Sequence, residues 1–194
     1  MDNNQDLRIR RTHKTIRTAF FELMDTIGFD KITVQNLTQK AMISRTTFYL
    51  HYKDKFDLLD QIENEILEGL RGISYELQTD IWKNLSLTDE KPVSILIKVY
   101  NYVKANEQFF KLIMGKNGDP SFFKKLNETM KSVSHTVLDV KRLKIPEHYA
   151  LAIVIGIQTS FINEWLNSGM KETPEELVAI ITQVMQDVPK NIYL

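Results

Sequence analysis

Residues 33–55 read TVQNLTQKAMISRTTFYLHYKDK, two helical rhythms separated by a break. Val34, Leu37 and Ala41 fall at the i, i+3, i+7 spacing that puts apolar groups on one helix face. Ala41-Met42-Ile43 interrupts that rhythm. Ser44 then offers a hydroxyl to cap a second helix, whose first outward positions are Arg45, Thr46 and Thr47. Phe48 faces the core from this second helix, and Tyr49, His51, Tyr52, Lys53 and Lys55 follow as a cluster of hydrogen-bond donors and positive charge. Two short helices around a tight turn, poor in catalytic groups and rich in groups that suit a phosphate backbone, predict a DNA-binding module.

The charge distribution agrees with that expectation. The chain has 194 residues and a formal net charge of zero, but residues 1–55 hold ten Lys/Arg against six Asp/Glu, and the remainder holds 15 against 19. A +4 end and a −4 remainder attract a polyanion to one end only. With 43% hydrophobic residues there is ample material for one large or two small cores. The absence of cysteine rules out disulfides and thiolate chemistry. The N-terminal MDNNQDLRIRRTHK lacks the apolar core of a secretory signal, and the longest apolar run, 149–157, is shorter than the roughly twenty residues of a membrane span. We expect a soluble cytoplasmic protein.

Upstream of the opening stretch, Ile16, Ala19, Phe20, Leu23 and Ile27 keep helical spacing, and Gly28-Phe29 has the form of a glycine C-cap with its hydrophobic partner. The first helix is predicted over about 7–27. Its Arg8, Arg10, Arg11, Lys14 and Arg17 suit either a phosphate or minor-groove contact or a solvated face. Downstream, Asp54 caps a helix whose apolar positions recur from Phe56 to Ile81, with Gly69 and Gly72 as places where it bends or breaks. Further helices are expected over 93–104, 107–114, 119–143 and 146–168, the last ending at Gly169. Thr173-Pro174-Glu175-Glu176 is a capping-box sequence that starts the final helix. No stretch alternates like a strand, so the fold class is all-α.

This pattern resembles the TetR/AcrR family of transcriptional regulators. The resemblance rests on Ile27-Gly28-Phe29, Ile32-Thr33-Val34, Leu37-Thr38, Ala41, Ile43-Ser44, Thr47-Phe48-Tyr49, His51-Tyr52, Lys53-Asp54-Lys55 and Leu58-Leu59, over about residues 8–60. Met42 departs from it, since members often carry glycine in the turn. The resemblance implies a helix-turn-helix DNA-binding domain over 1–54 and a larger helical regulatory and dimerisation domain over 55–194. It implies that Ser44 to Tyr49 enter the major groove, with Arg45 at a guanine edge and Thr46 or Thr47 at a thymine methyl or a phosphate. Thr33, Tyr49, His51, Tyr52, Lys53 and Lys55 then hold phosphates. For Phe48 and Tyr52 the competing expectation is a plain core aromatic.

The resemblance further implies a homodimer through the last two helices, on an inverted-repeat operator. Leu151, Ile155, Phe161, Ile162, Trp165, Ile181 and Val184 are the expected interface residues, with Trp165 and Phe161 as anchors because the 146–168 helix is apolar around much of its circumference. It also implies a pocket for a small-molecule inducer. Tyr100, Tyr102, Phe109, Phe110, Met114, Phe122, Phe123, Met130, His135 and Gln158 are the candidates, each of which suits ordinary core equally well. The helix over 54–82 is then the lever that carries pocket state to the DNA-binding head. No cofactor or metal is called for, His135 with Asp139 is a lone helical pair, and no nucleophile elbow, P-loop or dinucleotide fingerprint points to an enzyme. The alternative function is a co-regulator of the same fold that acts through protein contacts with little operator binding of its own.

Overall fold

Local capping decides where the first helices begin and end. The computed structural model describes residues 2–75, 90–115, 118–134 and 144–185. Helix α1 (Asp2–Ile27) starts earlier than the apolar rhythm predicts. It stops at Gly28, whose φ of 78° is open to a residue without a Cβ and whose N–H donates to the Met24 carbonyl at 3.1 Å. A 3-10 turn (Phe29–Lys31) leads to α2 (Val34–Lys40). Thr33 caps α2 by accepting the Asn36 N–H, and the Asn36 side chain accepts the Thr33 N–H in return at 2.8 Å. Helix α3 (Arg45–Tyr49) is one short piece capped by Ser44, whose Oγ accepts the Thr47 N–H at 3.0 Å.

Between α2 and α3 the chain turns through Met42, at φ 52° and 92% exposed. The Ile43 N–H donates to the Thr38 carbonyl at 3.0 Å and the Met42 N–H to the Gln39 carbonyl at 3.2 Å, the paired bonds of a Schellman C-cap. Methionine therefore occupies the left-handed position that glycine usually fills, and the turn closes normally around it.

Helix α4 (Lys55–Tyr75) opens on Asp54, whose carboxylate accepts the Phe56 and Asp57 N–H groups at 2.8 Å. It runs unbroken through Gly69 and Gly72, contrary to the expected interruption. At Gly69 the missing Cβ serves packing, because any Cβ there would collide with the Tyr102 phenol. Residues 76–82 of the expected lever lie outside the described residues.

Helices α5 (Glu90–Ala105), α6 (Glu107–Ile113), α7 (Pro120–Ser134), α8 (Glu147–Asn167) and α9 (Pro174–Met185) follow. Thr173 and Glu176 form the reciprocal capping box at the start of α9, and α8 ends in a second Schellman pair at Gly169 and Met170. The described residues contain helices, turns and bends and no strand, as an all-α fold requires.

The chain forms two compact units, residues 1–65 with 112–120 and residues 66–111 with 121–194. The first three turns of α4 thus belong with the head. In the first unit Ile16, Ala19, Phe20 and Met24 of α1 are buried, as are Leu37 of α2, Ala41 at its C-cap, Phe48 of α3, and Leu58, Leu59 and Ile62 of α4. Met24 holds the core position expected for Ile27, which is exposed. α1 packs on α2, and α2 on α3. Truncating Phe48 to alanine would cost about 3–5 kcal/mol by the usual cost of emptying an aromatic core site. In the second unit α5 packs on α9. Its core takes Ile95, Tyr100 and Val103 from α5, Phe122 and Leu126 from α7, six residues of α8 and Leu177, Val178 and Ile181 of α9.

Candidate nucleic-acid interface

Phe48 is the one fully buried residue of α3, and most of the rest of this helix is displayed to solvent. Arg45, Thr46 and Tyr49 are exposed, as is Ser44 ahead of them, while Thr47 is half-buried with its hydroxyl 2.8 Å from the Ser44 hydroxyl. Thr33 and Lys53 are exposed at the starts of α2 and of the loop into α4, and His51 is half-buried beside them. The Lys53 backbone N–H donates to Asp57 at 2.8 Å. That bond, with one from the Gln61 amide, holds the Asp57 carboxyl below its ordinary range and leaves the Lys53 ammonium outward.

Two of the expected phosphate donors are spent inside the protein. Tyr52 is 1% exposed, and its hydroxyl lies 2.6 Å from Nδ1 of His13. Its ring also lies against Phe48. Burial pushes the phenol up and Arg17 opposes it, so the group is a neutral core tyrosine, not a DNA contact. Lys55 donates to the Phe29 carbonyl at 3.0 Å and to the Asp30 carbonyl at 2.9 Å, with its ammonium over the Phe29 and Phe56 rings. The cation ties the start of α4 to the 3-10 turn, with two of its three N–H groups committed to those carbonyls.

Three other residues carry roles that local pattern did not signal. Gln35 of α2 accepts an Arg45 guanidinium N–H at 3.1 Å. His13 of α1 stacks edge-on against His51 with centroids 4.6 Å apart. Burial first, then His51 and Arg17, hold the His13 imidazole below its ordinary range, with Glu65 pulling the other way. Arg17 is ion-paired to Glu65 and half-buried, whereas Arg8, Arg11 and Lys14 are exposed. Gln35 sits one position after the start of α2, where an outward polar residue is unremarkable until the partner helix is known.

Comparison with known proteins gives this geometry its setting. The tetR family of bacterial regulatory proteins matches over residues 16–62, and a transcriptional regulator C-terminal region of TetR type matches over residues 90–187, half of the chain. The chain belongs to the TetR family. The HTH-type regulator YxbF of Bacillus subtilis is 23% identical over 164 residues, 84% of this chain and 41% of YxbF. The dhaKLM operon transcriptional activator DhaS of Lactococcus lactis is 33% identical over 109 residues, 55% of this chain and 57% of DhaS. The chain thus matches less than two thirds of either relative's length. Among solved structures, NalD, the secondary repressor of the MexAB-OprM multidrug efflux pump in Pseudomonas aeruginosa, superposes with a TM-score of 0.68 at 14% identity, covering 96% of this chain and 98% of NalD. At that identity the likeness is one of fold.

In this TetR-family chain the second unit alters the expected interface. Trp165 is 1% exposed, its ring lies 5.7 Å from that of Tyr100, and its indole N–H donates to the Glu172 carbonyl at 3.0 Å. Leu151, Ile155, Ile162 and Ile181 are likewise buried within their own protomer and Phe161 is half-buried, so these are core residues and Trp165 is no free anchor. Of the expected interface set, Val184 is exposed. α8 instead shows Tyr149, Ala152, Ile153, Gly156 and Ser160 to solvent along one stripe, and α9 shows Ala179, Ile180 and Val184.

The pocket candidates divide similarly. Phe109, Phe110 and Phe122 are buried and packed edge-to-face on one another, with centroids 5.2–6.4 Å apart. Tyr100 is buried, and its hydroxyl donates to Gln158 at 2.8 Å. Tyr102, Phe123 and Met130 are half-buried in the same unit, whereas Met114 belongs to the head unit. His135, and with it Asp139, lies outside the described residues.

Proposed function

We propose that this protein is a homodimeric repressor that binds an inverted-repeat operator and is released by a small apolar inducer. The observation that carries the DNA half is α3, held by Phe48 on its inner side while Arg45, Thr46 and Tyr49 are exposed to solvent. In this proposal Arg45 meets a guanine edge, and Thr46 or Thr47 meets a thymine methyl or a phosphate. Thr33, Ser44, Tyr49, His51 and Lys53 hold the phosphate backbone. Tyr52 and Lys55 leave that set for the reasons above.

The exposed apolar side chains of Tyr149 and Ile153 on α8 and of Ile180 and Val184 on α9 support self-association. A second copy that presents the same side chains covers them in a two-fold, self-complementary contact. The two heads then read half-sites one helical turn apart or a multiple of it.

For the inducer we place the contacts in the second unit, at Tyr102, Phe123, Met130 and the polar pair Tyr100–Gln158. α4 is the covalent route from that unit to the head. A ligand that binds the DNA-incompetent state better lowers operator affinity by its differential affinity for the two states, and no more. DhaS is an activator and NalD a repressor. We adopt repression because it asks of the protein only DNA affinity and its release, whereas activation asks also for a contact to polymerase. In this proposal it works beside the DNA, in the cytoplasm.

Selection of bound duplexes from a random pool tests this. An enriched inverted repeat is expected. Enrichment of no repeat by a folded dimer refutes the proposal and favours the co-regulator. A reporter driven through the enriched repeat tests the sign of regulation.

A further inference from the structure

Arg45 is the first residue of α3 and exposed, a position at which a long cationic side chain ordinarily samples many rotamers. Here Nη2 of its guanidinium donates to Oε1 of Gln35 on α2 at 3.1 Å, although the two residues are ten positions apart and both exposed. Only the carbonyl end of the Gln35 amide can accept from a guanidinium, so its NH2 end is turned away and keeps two donors. The guanidinium still has a second N–H on Nη2 and both on Nη1, the edge that pairs with O6 and N7 of guanine.

We propose that Gln35 and Arg45 act as one composite reading unit, in which Gln35 positions Arg45 on a guanine and presents its own NH2 to the next base on the same strand. This rests on the operator-binding proposal above and adds the bases to it. A donor-only face accepts adenine, guanine or thymine next to that guanine, since each offers an acceptor in the major groove, and rejects cytosine, which offers an N4 donor. A neutral partner matters. Glutamine holds the arginine without cancelling its charge, whereas a carboxylate would fix the guanidinium and also repel phosphates. Because the bond exists in the free protein, part of the ordering of Arg45 is completed before DNA arrives.

The experiment compares the base preferences of wild type, Gln35→Ala, Gln35→Glu and Arg45→Ala by selection on random duplexes. Thermal melting and the side-chain NMR relaxation of the Arg45 guanidinium are measured on each free protein that retains Arg45. Wild type is expected to favour guanine by roughly tenfold or more at one position in each half-site, as one bidentate arginine does. Arg45→Ala abolishes that preference. Gln35→Ala weakens it several-fold, removes the discrimination against cytosine at the adjacent base, mobilises the guanidinium and leaves the melting temperature unchanged. Gln35→Glu keeps the guanine, lowers affinity for all duplexes, and turns the adjacent preference toward cytosine, whose N4 donates to a carboxylate. If wild type enriches a repeat and Gln35→Ala enriches the same one with the same weights, the composite unit is refuted while operator binding stands. If wild type enriches nothing, both fall.

Discussion

Met42 is the position where the helix-turn-helix geometry is most open to a quantitative check. It sits at φ 52° in the αL region, where a residue with a Cβ costs about 1–2 kcal/mol. At 92% exposure its side chain returns almost nothing in burial. Replacing it with glycine removes the steric cost and adds roughly 0.4–1 kcal/mol of chain entropy to the unfolded state. The difference is a net stabilisation of about 0.5–1 kcal/mol, which slows opening of the turn roughly two- to fivefold.

The Met42 and Ile43 amides report on this directly, since they donate to the Gln39 and Thr38 carbonyls. Their hydrogen exchange should slow by that factor in Met42→Gly. Met42→Ala keeps the Cβ and should stay within about 0.5 kcal/mol of wild type, as exposed substitutions usually do. Met42→Ile adds a branch at the Cβ and should accelerate exchange, by about 1 kcal/mol or more. A destabilised Met42→Gly, or an alanine variant that gains as much as the glycine one, would refute the claim that backbone strain is stored at this turn.

Other expectations follow from the same structure. Gly69→Ala should lose about 1 kcal/mol in urea titrations, overpacking against Tyr102 outweighing the helix-propensity gain, whereas Gly72→Ala, with open space around its added Cβ, should gain about 0.5–1 kcal/mol. Ile153→Asp should give folded monomers by light scattering with intact circular dichroism, while Trp165→Asp should unfold the second unit instead of merely dissociating it. Because His13 titrates below its ordinary range in the folded protein, the unfolded chain takes up that proton first. The stability this group contributes is complete above about pH 6.5 and declines as pH falls through that value toward the folded pKa. Subtracting the urea midpoints of His13→Gln from those of wild type across pH 4–8 isolates this contribution from His51, Arg17 and Glu65. A flat difference curve would refute it.

How much of this was legible in the sequence depends on the distance over which each feature is decided. The helix-turn-helix was, since its signals are local: Thr33 and Ser44 cap within three residues, and Gly28 ends α1 by its own φ. Which polar groups remain free was not. Tyr52 is taken up by His13, 39 positions away, and Lys55 by carbonyls 25 and 26 positions away, so donor-rich composition overstated the DNA-facing set. The role of Gln35 is absent from local pattern for the converse reason, because it exists only once α2 lies beside α3.

The proposed dimer face illustrates a deeper limit. A helix apolar over most of its circumference, as α8 is, carries two stripes of similar hydrophobicity, and a 3.6-residue period assigns neither to core or partner. Size tempts the eye to Trp165 as the anchor. Yet an indole has an N–H that must be satisfied when buried, and the chain turning back after Gly169 brings the Glu172 carbonyl to it at 3.0 Å. The tryptophan is therefore fixed by its own protomer. What the proposed dimer leaves for a partner is Ile153 with the amphipathic Tyr149 on the opposite stripe of α8, and Ile180 and Val184 on α9, side chains that a second copy can cover without leaving a buried donor unpaired.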